Sequence, residues 1–247
     1  MADADQAKPP TIPLGFWATL GWALAAFVLG QIAAVAALLA WYRGDLAALV
    51  NHIYEGAVVT ISVLVLNPVT IAVLMLALRF AGREPAQYLG LAWARLQQTM
   101  VGIAGIMVII GLTDALLFLS GRPLVTPFQL NSYTSAAAEG SGWLLAMLIA
   151  AVIVAPAGEE AIFRGFLFRG WARSPRSTWP AIVGISLLWA ALHVQYDWTG
   201  ILQIFVIGLF LGWMRLRSGS TLLTFLLHAL FNLEGTLETV LQVRFFS

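Results

Sequence analysis

Long apolar stretches decide what this chain can become. Seven of them, at about 15–40, 57–78, 99–119, 142–163, 179–196, 198–214 and 220–241, stand close to the length needed to cross a bilayer. A spanning helix takes roughly 20 apolar residues. The fold class read from this pattern is all-α: a polytopic transmembrane helical bundle of about seven spans. Composition agrees, with 60% of residues hydrophobic, 10% charged and a mean hydropathy of +0.87. A soluble domain carries about 25% charged residues. A water-soluble enzyme, a nucleic-acid binder and a disordered chain are therefore excluded. The net charge of +1 supplies no field for nucleic acid. With no cysteine, disulfides, thiolate metal sites and a cysteine nucleophile are excluded together.

Basic residues orient the spans. If seven helices alternate, Lys8, Arg79, Arg83, Arg95, Arg164, Arg169, Arg173, Arg176, Arg215 and Arg217 fall on one side, and Arg43, Arg122 and Arg244 on the other. Positive charge stays cytoplasmic, so the N-terminus is expected inside. Met1–Thr11 lacks the basic region of a signal peptide, so the first helix is expected to be retained. The chain divides into a cytoplasmic tail (1–14), N-terminal transmembrane helices (15–140), a transmembrane core (141–241) and a C-terminal tail (242–247). Segment 84–98 reads as an interfacial helix. The 120–141 connection, with Pro123 and Pro127, is the longest loop and a place for a gate or re-entrant piece.

Many polar or aromatic residues have an ordinary explanation. Trp17, Trp22, Trp41, Trp143, Trp179 and Trp198 sit near span ends as interfacial anchors. Asn67-Pro68 marks a helix kink, and Gly208 with Gly212 lets two helices approach closely. Tyr196-Asp197 reads as a loop dipeptide, and His52 needs no role. Asp114 is expected to pair with a neighbour, and Glu234 and Glu238 to line a cavity or lie near the outer interface.

Ionisable residues inside spans are functional candidates by default. Glu159 and Glu160 are adjacent, and Arg164 follows Glu160 by four residues, on the same helix face. An ordinary ion pair at a cytoplasmic helix end accounts for Glu160 and Arg164 but leaves Glu159 free. His193 closes the fifth stretch. His228 and Asn232 share a face of the seventh. A hairpin closed near 173–178 brings Glu159 level with His193, with His228 offset by about 9 Å along its helix. This set suits hydrolysis: a carboxylate and an imidazole hold and deprotonate water, while a second histidine and an amide stabilise an oxyanion. The same groups are also zinc ligands, so a divalent metal is the alternative. There is no H-E-x-x-H pair and no G-x-S-x-G.

Three ordered motifs carry a resemblance: Glu159-Glu160-x-x-x-Arg164, an aromatic-x-x-x-His ending at His193 with Trp189 first, and His228-x-x-x-Asn232. They resemble the type II CAAX prenyl endopeptidase family, whose bacterial members are called CPBP or ABI-family intramembrane proteases. The stretch Phe205–Ser220 is similar to that family's sixth-helix segment. The resemblance covers about 150–235 and departs from the family at Trp189, where Phe is usual. It implies an intramembrane endopeptidase in which Glu159 with His193 activates water and His228 with Asn232 forms the oxyanion site. Glu160 and Arg164 are supporting, and no cofactor or metal is required. The partners implied are the lipid bilayer and a membrane-embedded or lipid-modified, CAAX-like peptide; nucleic acid is not among them. The Ala- and Trp-rich composition points to a bacterial inner membrane, where a processed peptide or bacteriocin leader is as good a substrate. Two other functions compete: a non-catalytic scaffold or bacteriocin-immunity protein, and a proton-coupled transporter using Glu159 and Glu160. The chain shows no inverted repeat to support the transporter.

Overall fold

The computed structural model describes residues 13–245. Lys8 and most of the expected N-terminal tail lie outside these residues, as do 246–247. Every regular element among the described residues is a helix, ten in all. They are α1 (Phe16–Trp41), α2 (Leu46–Asn51), α3 (Gly56–Phe80), α4 (Pro85–Leu89), α5 (Leu96–Leu119), α6 (Pro127–Glu139), α7 (Ser141–Trp171), α8 (Pro175–Ala191), α9 (Trp198–Ser218) and α10 (Thr221–Phe245). The seven expected stretches each fall on one of the longer helices. Of these, α1, α3, α5, α7 and α9 are long and apolar enough to cross a membrane. The chain is an integral membrane protein built as an all-α bundle.

Its polarity is that of a lipid-solvated protein. Leu24, Val28, Ile32 and Val35 on α1, and Val108, Leu112 and Leu116 on α5, are exposed. The interior is held by Leu74, Leu78, Ile106, Phe166, Trp189 and Leu211. Small residues set the closest approaches. A Cβ on Gly30 of α1 would meet Thr70 and Leu66 of α3. Gly208 and Gly212 of α9 lie against Ser186, Trp189 and Ile182 of α8, as the small-residue spacing predicts.

Several expectations change. Segment 84–98 is not one interfacial helix: α4 stops at Gly90, whose φ of 72° turns the chain, and 96–98 begin α5. The 120–141 connection holds a helix of its own, α6, capped by Thr126 and Gln129. The stretch 179–196 overruns its helix. α8 ends at Ala191, and Asp197 starts α9 by accepting from the N–H groups of Thr199 and Gly200. The expected tail at 242 is still helical, because α10 continues to Phe245.

The largest difference is in α7. The expected span ends at 163, where hydropathy falls at Arg164, yet the helix runs 31 residues to Trp171. Two π-helical stretches, Ala150–Val154 and Ala161–Leu167, widen it. Such widened turns re-aim side chains and often mark functional sites. Glu160 and Arg164 therefore lie deep in the interior, each 1% exposed, and not at a helix end.

The bundle has two distinct ends. At one, Phe16 stacks on Trp171 at 4.8 Å, Gln98 bonds the Arg217 carbonyl, and Ser220 bonds that of Ala92. Arg79, Arg83, Arg95, Arg169, Arg173, Arg176 and Arg217 gather there. At the other, Trp41 meets Trp143, Arg122 pairs with Asp197 at 3.3 Å, and Arg43 and Arg244 close the set. Arg164 and Arg215 reach neither surface, being buried in the layer beneath the first of these ends.

Candidate active site

Glu159 and Glu160 lie in the short α-helical turn of α7 between the two π-helical stretches, and adjacent positions on a helix point about 100° apart. Glu159 faces a cavity; Glu160 faces the packed interior. A Cβ on Gly158 would overlap the Asn67 amide, so this turn sits directly against α3. Asn67 spends its own amide N–H on the Val63 carbonyl, one turn back along α3, which continues unbroken past Pro68.

Glu160 is the anchor of the polar interior. Its Oε1 accepts from Arg164 Nη1 at 2.8 Å and faces His228 Nδ1 at 3.0 Å. A carboxylate held by an arginine is an acceptor, so the proton of that contact sits on His228 Nδ1. The Nε2 of His228 is then left for the cavity. Arg164 reaches the Gly208 carbonyl and lies 4.3 Å from the centroid of the Trp189 ring, while its own carbonyl accepts from Arg215 Nε at 2.9 Å. A buried pair of this kind is tolerable only when its remaining donors and acceptors are matched. Here a histidine, the Gly208 carbonyl and an indole face match part of them, while Glu160 Oε2 and Arg164 Nε stay buried without a hydrogen-bond partner.

Trp189 ties the groups together. Its indole N–H donates to Glu159 Oε2 at 2.5 Å, so Glu159 is not the free carboxylate expected from the Glu160–Arg164 spacing. The ring meets His193 at 5.4 Å and His228 at 5.1 Å, both edge-on. The Trp189 carbonyl takes His193 Nδ1 at 2.8 Å. A carbonyl only accepts, so His193 carries its proton on Nδ1 and presents Nε2 as a base. His193 stands in the turn after α8, and its ring stacks on Tyr196 at 6.1 Å. Asn232 donates from Nδ2 to the Ala151 carbonyl at 2.8 Å, inside the first π-helical stretch. One of its two amide hydrogens is thereby committed, and the other is left.

Glu159, His193, His228 and Asn232 all line one cavity of about 250 Å³. Glu160 and Arg164 lie behind it. The rest of the lining is mixed: Val59, Val63, Phe128, Met147, Ile204 and Phe231 are apolar or aromatic, and Thr126, Gln129, Gln195 and Gln203 are polar. Sequence reasoning misses the part played by three lining residues. Trp189 enters it only as an aromatic ring. Gln129 lies on α6, within a segment that reads as a loop. Tyr196, one half of the apparent loop dipeptide, sits between His193 and Phe128, and burial raises its phenol pKa, with Tyr133 and Glu159 adding to the effect. Its neighbour Asp197 points away, to the start of α9 and to Arg122.

A second acidic group lies in the same cavity. Asp114 of α5 and Glu234 and Glu238 of α10 each offer a carboxylate oxygen, and these atoms lie within 4.8 Å of one another. This is the neighbour expected for Asp114. Oxygen ligands of this kind suit a hard divalent cation. Glu159, His193 and His228 form no comparable three-ligand cluster among the described residues. The Nδ1 atoms of both histidines are already engaged.

Comparison with known proteins follows the same part of the chain. Residues 141–233 match the type II CAAX prenyl endopeptidase Rce1-like family, the segment that holds α7, α8, α9, the first half of α10 and every motif residue above. An uncharacterized 24.3 kDa protein of Escherichia coli is 32% identical over 113 residues, 45% of this chain. The match spans about half of that relative, 52% of its length. No solved structure matches the chain.

Proposed function

We propose that the protein is an intramembrane endopeptidase that hydrolyses a peptide bond in a membrane-embedded or lipid-modified peptide, in a bacterial inner membrane. The observation that carries this reading is the convergence of Glu159, His193, His228 and Asn232 on one cavity, within the segment that matches a prenyl endopeptidase family. A water placed between Glu159 Oε1 and His193 Nε2 gives up a proton as its oxygen attacks the scissile carbonyl carbon. The proton is held by this pair and passed to the departing amine nitrogen as the C–N bond breaks. The oxyanion of the tetrahedral intermediate is met by the free amide hydrogen of Asn232 and by His228 Nε2. Donation from Nε2 uses the doubly protonated ring, whose charge faces the Glu160 carboxylate 3.0 Å away. Arg164 fixes Glu160 in turn, so both are positioning residues.

No step in this scheme needs a metal. Zinc held by the same histidines and Glu159 is the chemical alternative, and it would draw on the two Nε2 atoms. The apolar and aromatic side chains in the cavity lining suit a substrate that arrives from lipid, whether through a prenyl group or through its own apolar residues. Peptidomics tests the reading whatever the substrate's sequence. Membrane peptides from cells lacking the protein are compared with those from cells carrying Glu159→Ala. The same uncleaved species accumulate in both if the protein is a hydrolase. A wild-type peptide pattern in the Glu159→Ala cells overturns it in favour of a scaffold or immunity role.

A further inference from the structure

The cavity is not centred between the two ends of the bundle. Val59 and Val63 come from the first turns of α3, and Gly200, Gln203 and Ile204 from the first turns of α9. Asp114 lies in the last turns of α5, and Gln195 and Tyr196 in the loop beside Arg122 and Asp197. The turns at 81–95, 172–174 and 219–220 contribute no lining residue. The opening therefore belongs to the end that carries Arg43, Arg122 and Arg244.

The opposite, basic end is sealed. Phe166, Leu89 and Arg164 are each no more than 1% exposed, and Arg215 lies beneath Gly90. Thr221 closes this layer by donating to the Leu89 carbonyl at 2.5 Å and from its N–H to the Gly90 carbonyl at 2.9 Å. A peptide cannot reach Glu159 through that layer without parting buried charge from its partners.

Charge orients the two ends. Once the buried Arg164 and Arg215 are set aside, seven arginines remain at the sealed end and three at the open end. Short loops rich in arginine stay cytoplasmic. We infer that the catalytic cavity opens on the non-cytoplasmic face, and that its substrate is the membrane-proximal part of an exported, bilayer-held peptide. This rests on the hydrolase reading for the word substrate, but the direction of opening stands on geometry and charge alone. A lipid-modified C-terminus presented from the cytosol would face the sealed layer.

The chain lacks cysteine, so single reporters need no background removal. Ser120→Cys and Gln195→Cys place a thiol at the open end; Gln97→Cys and Arg176→Cys place one at the basic end. Intact cells expressing each variant are treated with a membrane-impermeant maleimide, before and after permeabilisation. Ser120→Cys and Gln195→Cys are expected to label in intact cells, and Gln97→Cys and Arg176→Cys only after permeabilisation. The reverse pattern, or labelling of Gln195→Cys only after permeabilisation, overturns the inference. Labelling needs no turnover. Outward labelling with no peptide hydrolysis therefore removes the hydrolase reading and keeps the direction, whereas hydrolysis with inward labelling does the opposite.

Discussion

The indole N–H of Trp189 is a device whose worth can be measured by changing one atom group. Trp189→Phe keeps an aromatic ring under the Arg164 guanidinium, 4.3 Å from the present ring centroid, and against both histidines. It removes only the donor to Glu159 Oε2. The backbone carbonyl that holds His193 is unaffected. A hydrogen bond to a charged group contributes about 1.5–3 kcal/mol. If that bond holds Glu159 so that Oε1 faces the water, its loss lowers kcat by roughly ten- to a hundredfold. KM should stay within about twofold, because the substrate need not touch the indole for binding. The assay is steady-state cleavage of a detergent-solubilised membrane peptide by both forms, with thermal unfolding run in parallel. Phe at this position is usual in the family the motifs resemble, so the fold should accept it. A kcat within about twofold of wild type, with unfolding unchanged, refutes the idea that the indole orients Glu159. A rise in KM with kcat unchanged would instead mark Trp189 as a residue that only contacts the substrate.

Four other perturbations follow from the geometry. Glu160→Gln leaves Arg164 buried without its counter-charge and should lower stability by about 3–5 kcal/mol, while Glu160→Gln combined with Arg164→Met recovers most of it; thermal unfolding of the three forms checks this, and equal loss in single and double variants contradicts it. Gly158→Ala forces a methyl into the Asn67 side chain and should cost about 1–3 kcal/mol, relieved by Asn67→Ala in the same chain. The Asp197 carboxyl is held below the usual carboxylate range by the Thr199 hydroxyl and then the Gly200 N–H. Its capping contribution is therefore present above the ordinary range and is lost as pH falls through the lowered value; protection of the first α9 amides against exchange should drop below about pH 4, and Asp197→Ala should abolish that dependence. Exhaustive treatment with a strong chelator should leave turnover unchanged. A loss restored by zinc would assign the histidines to a metal instead.

The helices are legible because lipid imposes a length and a polarity that apolar runs record directly. What hydropathy does not record is what happens where polar groups are buried and matched. Arg164 ends the apparent fourth span, yet α7 continues through it because Glu160, Gly208 and Trp189 take up its charge. His193 reads as helical because no strong stop precedes it; α8 nevertheless ends at Ala191, and Asp197 caps the next helix. Within the site, the residue types and their convergence follow from spacing, since i,i+4 pairs and a hairpin fix depth. The pairing does not. Glu160 holds His228; Trp189 holds Glu159; and Asn232 reaches a carbonyl in a widened helical turn that no sequence pattern announces. The meeting of Asp114 with Glu234 and Glu238 depends on how α5 packs on α10, a register that local sequence does not encode.

The central claim is that Glu159 activates the attacking water. Turnover of a membrane-anchored peptide by purified wild type and Glu159→Ala, at matched thermal unfolding, tests it most directly. Cleavage by the wild type and none by the folded Glu159→Ala is the predicted result. Retained turnover in that variant contradicts it.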